Sequence, residues 1–123
     1  MKGIVITTDL EISVREFTEP PYKSIGEAVG GYIEVVHPMG LKEPFCMVVN
    51  EEGLLKKLPL NTIGSFWYGT QFHGHPIAGD IVLLKEGLVG CEIDFIGLDD
   101  AEIESITAEI VSIHSLMNGW NRE

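Results

Sequence analysis

Two imidazoles, His73 and His75, stand either side of a single glycine. On an extended backbone, residues two apart point the same way, so both rings can face one metal ion or one ligand. A metal site would need a further donor, and Asp80, Cys46 and His37 are the residues able to supply it. Nothing in the spacing demands a metal, and a glycine-rich polar loop with two solvated rings is the favoured account of the pair. No cofactor is expected. The aromatic residues Phe66, Trp67, Tyr68 and Phe72 lead into this loop. They read first as packing for a short helix. Alternatively Tyr68 and Phe72 line a pocket to which Asn61, His73 and His75 contribute polar contacts, with Asp80 opening the strand that holds the loop. Ligand pockets are mostly apolar with a few placed polar groups, which is this mixture. The candidate ligand-binding set is therefore Asn61, Tyr68, Phe72, His73, His75 and Asp80, with no metal ligand and no catalytic residue assigned.

Other chemistries find less support. There is no G-x-S-x-G elbow and no reactive-cysteine context. Gly26, Gly30 and Gly31 do not form G-x-G-x-x-G, and the strand follows them instead of preceding them, which argues against a dinucleotide cradle. The carboxylate pairs Glu51–Glu52, Glu92 with Asp94, and Asp99–Asp100 fit a turn, a wet strand face and a helix start. A glycosidase pair would need a defined separation that spacing does not supply. Cys46 and Cys91 lie in apolar, strand-like runs, so both are expected as buried free thiols.

The charge balance narrows the partners. Eight Lys and Arg face 19 Asp and Glu, a formal net charge of -11. Direct nucleic-acid binding is disfavoured, because that affinity rests on cations displacing counterions from phosphates. Anionic membranes are disfavoured for the same reason. A basic protein partner, or simple solubility, fits better. The 123 residues suit one domain spanning 1–123. The start carries too short an apolar run for a signal peptide, and no stretch approaches a membrane span, so a cytoplasmic setting is expected.

The elements that must position these residues follow from periodicity and punctuation. Residues 3–8 and 11–17 read as strands joined at Asp9-Leu10, with 3–8 a candidate sheet edge. Ser24 and Glu27 fit a capping box for a short helix over 24–30, stopped by Gly30-Gly31. Residues 32–36 and 45–49 read as strands. A turn at 50–53 returns the chain through Leu54–Leu58 as a hairpin. Asn61 caps a second short helix over 61–68, and 69–79 is a loop. Residues 80–84 read as a central strand, Glu86-Gly87 as a turn, and 89–95 as a strand with one wet face. Asp99 and Glu102 cap a longer C-terminal helix whose stripe is Ile103, Ile106, Ile110, Ile113 and Met117, ended by Asn118-Gly119. The expected fold is α+β: a mainly antiparallel sheet with two short helices and one longer C-terminal helix packed on it.

A resemblance then enters. Tyr22, Ile25, Gly26, Val29, Gly30, Gly31, Ile33, Glu34 and Val36 open a series of motifs. They continue as Val49-Asn50-Glu51-Glu52-Gly53, Leu58-Pro59 with Asn61, Tyr68-Gly69, and Pro76-Ile77 with Gly79-Asp80. In that order they resemble a domain-of-unknown-function family of small bacteriophage and mobile-element proteins, over roughly residues 20–85. The 39–44 loop and the doubled histidine depart from it. The resemblance implies an accessory protein of a phage or prophage and brings no catalytic residues with it. The leading expectation is a protein that acts by binding, inhibiting or sequestering a host protein or a small ligand, including anti-defence roles. A small metal-assisted hydrolase centred on His73 and His75 is one alternative. A homo-oligomeric interaction module with no ligand is the other.

Overall fold

The computed structural model describes residues 1–18 and 20–120, with side chains as far as Leu116. The strands are β1 (Lys2–Ile6), β2 (Ile12–Glu16), β3 (Ile33–Val36), β4 (Phe45–Asn50), β5 (Ile81–Val89) and β6 (Glu92–Ile96). The helices are α1 (Pro21–Val29), α2 (Thr62–Tyr68), the single turn α3 (Thr70–His73) and α4 (Asp100–Trp120). The sheet runs β2-β1-β5-β4-β3, and β6 also pairs with β5. Every pairing is antiparallel. This is the expected α+β architecture.

Both faces of the sheet are covered. Ile4, Ile6, Met47, Ile81 and Leu83 face α2 and α4, meeting Ile63, Trp67, Ile106, Ile110 and Ile113. The alternate residues Val5, Cys46, Val48, Val82 and Leu84 face Ile25 and Val29 of α1. Strands buried on both faces carry apolar residues at every position, which is why β1, β4 and β5 read as continuous apolar runs. Strand β1 lies between β2 and β5, so it is not a sheet edge.

Helix ends explain where the boundaries fall. Asp99 and Glu102 form the reciprocal box: the Glu102 amide donates to Asp99 Oδ1 at 2.7 Å, and the Asp99 amide to Glu102 Oε1 at 3.0 Å. Helix α4 runs on through Asn118-Gly119 to Trp120. The Met117 side chain of the expected stripe lies outside the described residues. Helix α1 starts earlier than Ser24. Pro20 precedes it in an extended conformation and Pro21 opens it, where a missing N–H costs nothing. Ser24 instead donates its hydroxyl to the Pro21 carbonyl at 3.1 Å within the first turn. Gly30 ends the helix as expected, at φ +83°.

Two turns differ from expectation. Residues 54–58 form no strand; they continue a run of turns held by Lys56 N–H to Glu52 C=O and Leu58 N–H to Gly53 C=O. Strand β4 has no room for that hairpin, because β3 and β5 already occupy its two edges. Glu86-Gly87 is not a turn either. It lies inside β5, where a Cβ on Gly87 would press on the end of the Ile96 side chain. The chain reverses at Gly90-Cys91, with Gly90 at φ +67°. Cys91 is consequently exposed, while Cys46 is buried as expected.

Adjacent residues of α4 test this layering. Ile110 is 2% exposed and Val111 56%. Urea unfolding should show Ile110→Ala losing about 2–5 kcal/mol. Val111→Ala should stay within about 0.5 kcal/mol.

Candidate functional site

Asn61 sits at the junction between the sheet and the histidine loop, completely buried. Its Oδ1 accepts the Gly64 amide at 2.8 Å and so caps α2. Its Nδ2 donates to the carbonyls of Ile6 at 3.0 Å and Gly79 at 3.1 Å. One side chain thus ties the start of α2 to the ends of β1 and of the 69–79 loop. Its polar atoms serve the scaffold, and it stands behind the loop, away from solvent.

The structure brings Tyr68, His73 and His75 together. The Tyr68 and His73 rings meet edge to face, with centroids 4.7 Å apart, and His73 and His75 are 5.3 Å apart. His73 Nε2 is 3.0 Å from the Tyr68 carbonyl, and the His75 amide donates to His73 Nδ1 at 3.0 Å. A carbonyl only accepts and an amide only donates, so this geometry suits the neutral Nε2–H tautomer. Both nitrogens of His73 are therefore engaged by its own loop, which carries α3 where an irregular loop was expected. The Thr70 hydroxyl closes it by donating to the His75 carbonyl at 2.7 Å. Phe72 points outward, 77% exposed.

The expected third donors lie elsewhere. Asp80 accepts the Thr8 amide at 3.0 Å and lines a groove of about 400 Å³ with Thr8, Glu27, Gly30, Asn50 and Lys56. Neither imidazole forms part of that wall. His37 Nε2 lies 2.6 Å from Glu86 Oε1, and Cys46 is buried under α1. Among the described residues, no three His, Cys, Asp or Glu side chains are grouped to hold a metal ion.

The Asp80 groove gathers residues remote in sequence. Asn50 is buried and donates from Nδ2 to the Val29 carbonyl at the end of α1, at 3.1 Å, while its Oδ1 accepts the Glu52 amide at 2.8 Å. The Lys56 ammonium lies over Gly31, just past the same helix end, where a cation is favoured by the helix dipole.

A second cleft, about 520 Å³, was not foreseen. His37, Glu43, Pro44, Phe45, Glu86, Gly87, Leu88 and Ile93 line it. Reading Glu86-Gly87 as a turn hid it. The available signal was Leu88-Val89 and Ile93 flanking Gly90, the punctuation of a hairpin.

A family profile described as a domain of unknown function, DUF3846, matches residues 1–111. The chain belongs to this family. The match extends well beyond residues 20–85, taking in the β1–β2 hairpin and the first half of α4. No curated protein and no solved structure matches the chain. In this member of DUF3846, some of the residues that carried the resemblance, Gly30, Asn50, Pro59, Gly79 and Asp80 among them, line the Asp80 groove. No helix among the described residues is long and apolar enough to cross a membrane.

Two measurements test this assignment of roles. Asn61→Ala removes a cap and orphans two buried carbonyls, and should cost roughly 2–4 kcal/mol by urea unfolding. Asn61→Asp should destabilise too, because it keeps the cap but sets a carboxylate against those carbonyls. His73→Ala should cost less than about 1 kcal/mol, as expected of an exposed loop side chain.

The second concerns the thiols. Burial, reinforced by the Glu86 charge, pushes the Cys46 thiol up from 9.0 to about 12. Because the folded value is the higher one, the thiol's contribution to stability is whole below pH 9.0 and declines as pH rises toward 12. Iodoacetamide at about pH 8 should label Cys91 in the folded protein, and Cys46 only after unfolding.

Proposed function

We propose that this DUF3846 protein is a cytoplasmic accessory protein of a phage or another mobile element, acting by binding a basic host protein. The observation that carries this reading is the placement of its charge. Among the described residues no Asp or Glu is buried, so the carboxylates described all reach solvent, in a chain of net charge -11. Two of the eight Lys and Arg are paired among the described residues: Lys2 with Asp100 at 3.2 Å and Lys85 with Glu102 at 2.8 Å. Such a surface attracts cationic partners at long range and repels nucleic acid and anionic lipid. It also presents a basic nucleic-acid-binding protein with a competitor for its own ligand.

The engagement of both His73 nitrogens weighs against the hydrolase alternative, since a metal would have to displace the loop's own hydrogen bonds. A small ligand remains the form of binding that the Asp80 groove would serve.

Purification of the tagged protein from bacterial cytosol at about 50 mM salt should retain basic proteins that leave at about 0.5 M, where charges beyond a few ångströms are screened. Native mass spectrometry should show the chain without a small-molecule adduct. A nucleotide adduct, or direct binding of duplex DNA in a mobility-shift assay, would overturn the reading.

A further inference from the structure

The second cleft runs along an open stretch of strand backbone. Strand β4 pairs with β5 only as far as Phe45 opposite Lys85. One step on, the Glu86 amide still donates to the Pro44 carbonyl at 2.9 Å. Pro44 has no N–H to return that bond to the Glu86 carbonyl. Past this point no strand lies on that side of β5 among the described residues. On its other side β5 continues to pair with β6, Gly87 opposite Asp94 and Val89 opposite Glu92.

Antiparallel ladders alternate, so successive residues direct their N–H and C=O to opposite sides. Glu86 bonds toward Pro44, which places the N–H and C=O of Leu88 on that same open side. The N–H and C=O of Leu88 therefore stand ready for another strand, while Pro44 already fills the place opposite Glu86. The cleft beside them is apolar, with Phe45, Pro44, Leu88 and Ile93 in its wall. Leu88 and Ile93 are cross-strand partners, 75% and 71% exposed.

We infer that this DUF3846 protein binds its partner by strand addition, taking an extended segment of about three residues along β5 at Gly87–Val89, at roughly 3.4 Å per residue. The inference rests on the basic-partner reading, and charge selects the occupant. Glu43 and Glu86 line the cleft, with His37 Nε2 2.6 Å from the Glu86 carboxylate, and Glu92 is exposed on the hairpin beside it. Lys85, the nearest cation on the strand, is tied to Glu102 of α4. Residues two apart share a strand face, so Glu86 stands with Leu88 and Ile93, and Glu92 stands on the opposite face with Val89. A segment alternating apolar residues with Lys or Arg sets its apolar side chains beside Leu88 and Ile93 and its cations on the Glu92 face. A second copy of the chain would instead bring the same carboxylates, and two bodies of charge -11, face to face.

The test uses the full chain, labelled with ¹⁵N, and a capped peptide alternating valine and lysine. Three comparisons accompany it: the same peptide with N-methylated valines, one with glutamate for lysine, and the exposed double variant Leu88→Ser with Ile93→Ser. Amide signals of residues 87–89 and 93 should move. N-methylation, glutamate and the double variant should each weaken binding by about tenfold or more, the loss expected when an anchoring contact is removed. If the peptide binds with shifts spread over the acidic surface, indifferent to N-methylation and to the double variant, strand addition is wrong while charge-driven binding stands. If no lysine peptide binds at low salt, both readings fall. Sedimentation showing a dimer of the free chain that the Leu88→Ser, Ile93→Ser double variant dissociates would make a second copy the occupant and overturn the inference.

Discussion

Strand β5 passes through two environments along one backbone, and the rest of the structure is arranged around that change. From Ile81 to Leu84 it lies between β1 and β4 with helices over both faces, and all four side chains are buried. From Glu86 onward it keeps one neighbour, and its side chains come out into solvent. The switch coincides with Pro44, which accepts the last bond of the β4 ladder and cannot donate the next. Burial in the first half supplies the apolar area on which a domain of this size depends. The second half gives up that area and leaves polar backbone open. An unpaired edge is ordinarily blunted by charge, and here Glu86 and Glu92 sit on the hairpin. The same carboxylates that discourage indiscriminate pairing define which segments could pair.

Asn61 plays the complementary part at the other end of β5. Three segments converge there, and each presents a backbone group to the same side chain. One buried amide side chain answers all three. Apolar packing alone would leave these groups unpaired, at a cost comparable to the gain from the surrounding core. The histidine loop is therefore held by a rigid root, while its exposed rings are held only by the loop's own contacts.

What was legible in the sequence follows the range of the interactions concerned. The Asp99–Glu102 box, the Asn61 cap and the left-handed Gly30 are settled within four residues, and all three appear where local chemistry places them. The errors came from competition between distant segments. Leu54–Leu58 looked like a returning strand, but both edges of β4 are taken by β3 and β5, which lie well apart in the chain. Gly87 looked like a turn residue, whereas it lies inside β5, beside the end of the Ile96 side chain. That Asn61 would be a fold residue was half visible: its capping role was local, its two long bonds were not. The cleft beside β5 depends on where β4 ends relative to β5, a register that no local pattern reports.

Acidity and open edge acquire meaning only together. A net charge of -11 by itself makes a protein soluble and biases its encounters toward cations, without fixing where contact is made. An open strand edge by itself accepts any backbone, since the groups it offers are the same in every chain. At Gly87–Val89 the two coincide, and each supplies what the other lacks. The edge gives register and direction, and the flanking carboxylates discriminate among the chains that could lie there. The bound length is short, so backbone pairing contributes few bonds and the apolar wall of Phe45, Leu88 and Ile93 must contribute much of the affinity. Such a surface favours a partner whose segment is already extended, because ordering a flexible one would consume much of what so few contacts provide.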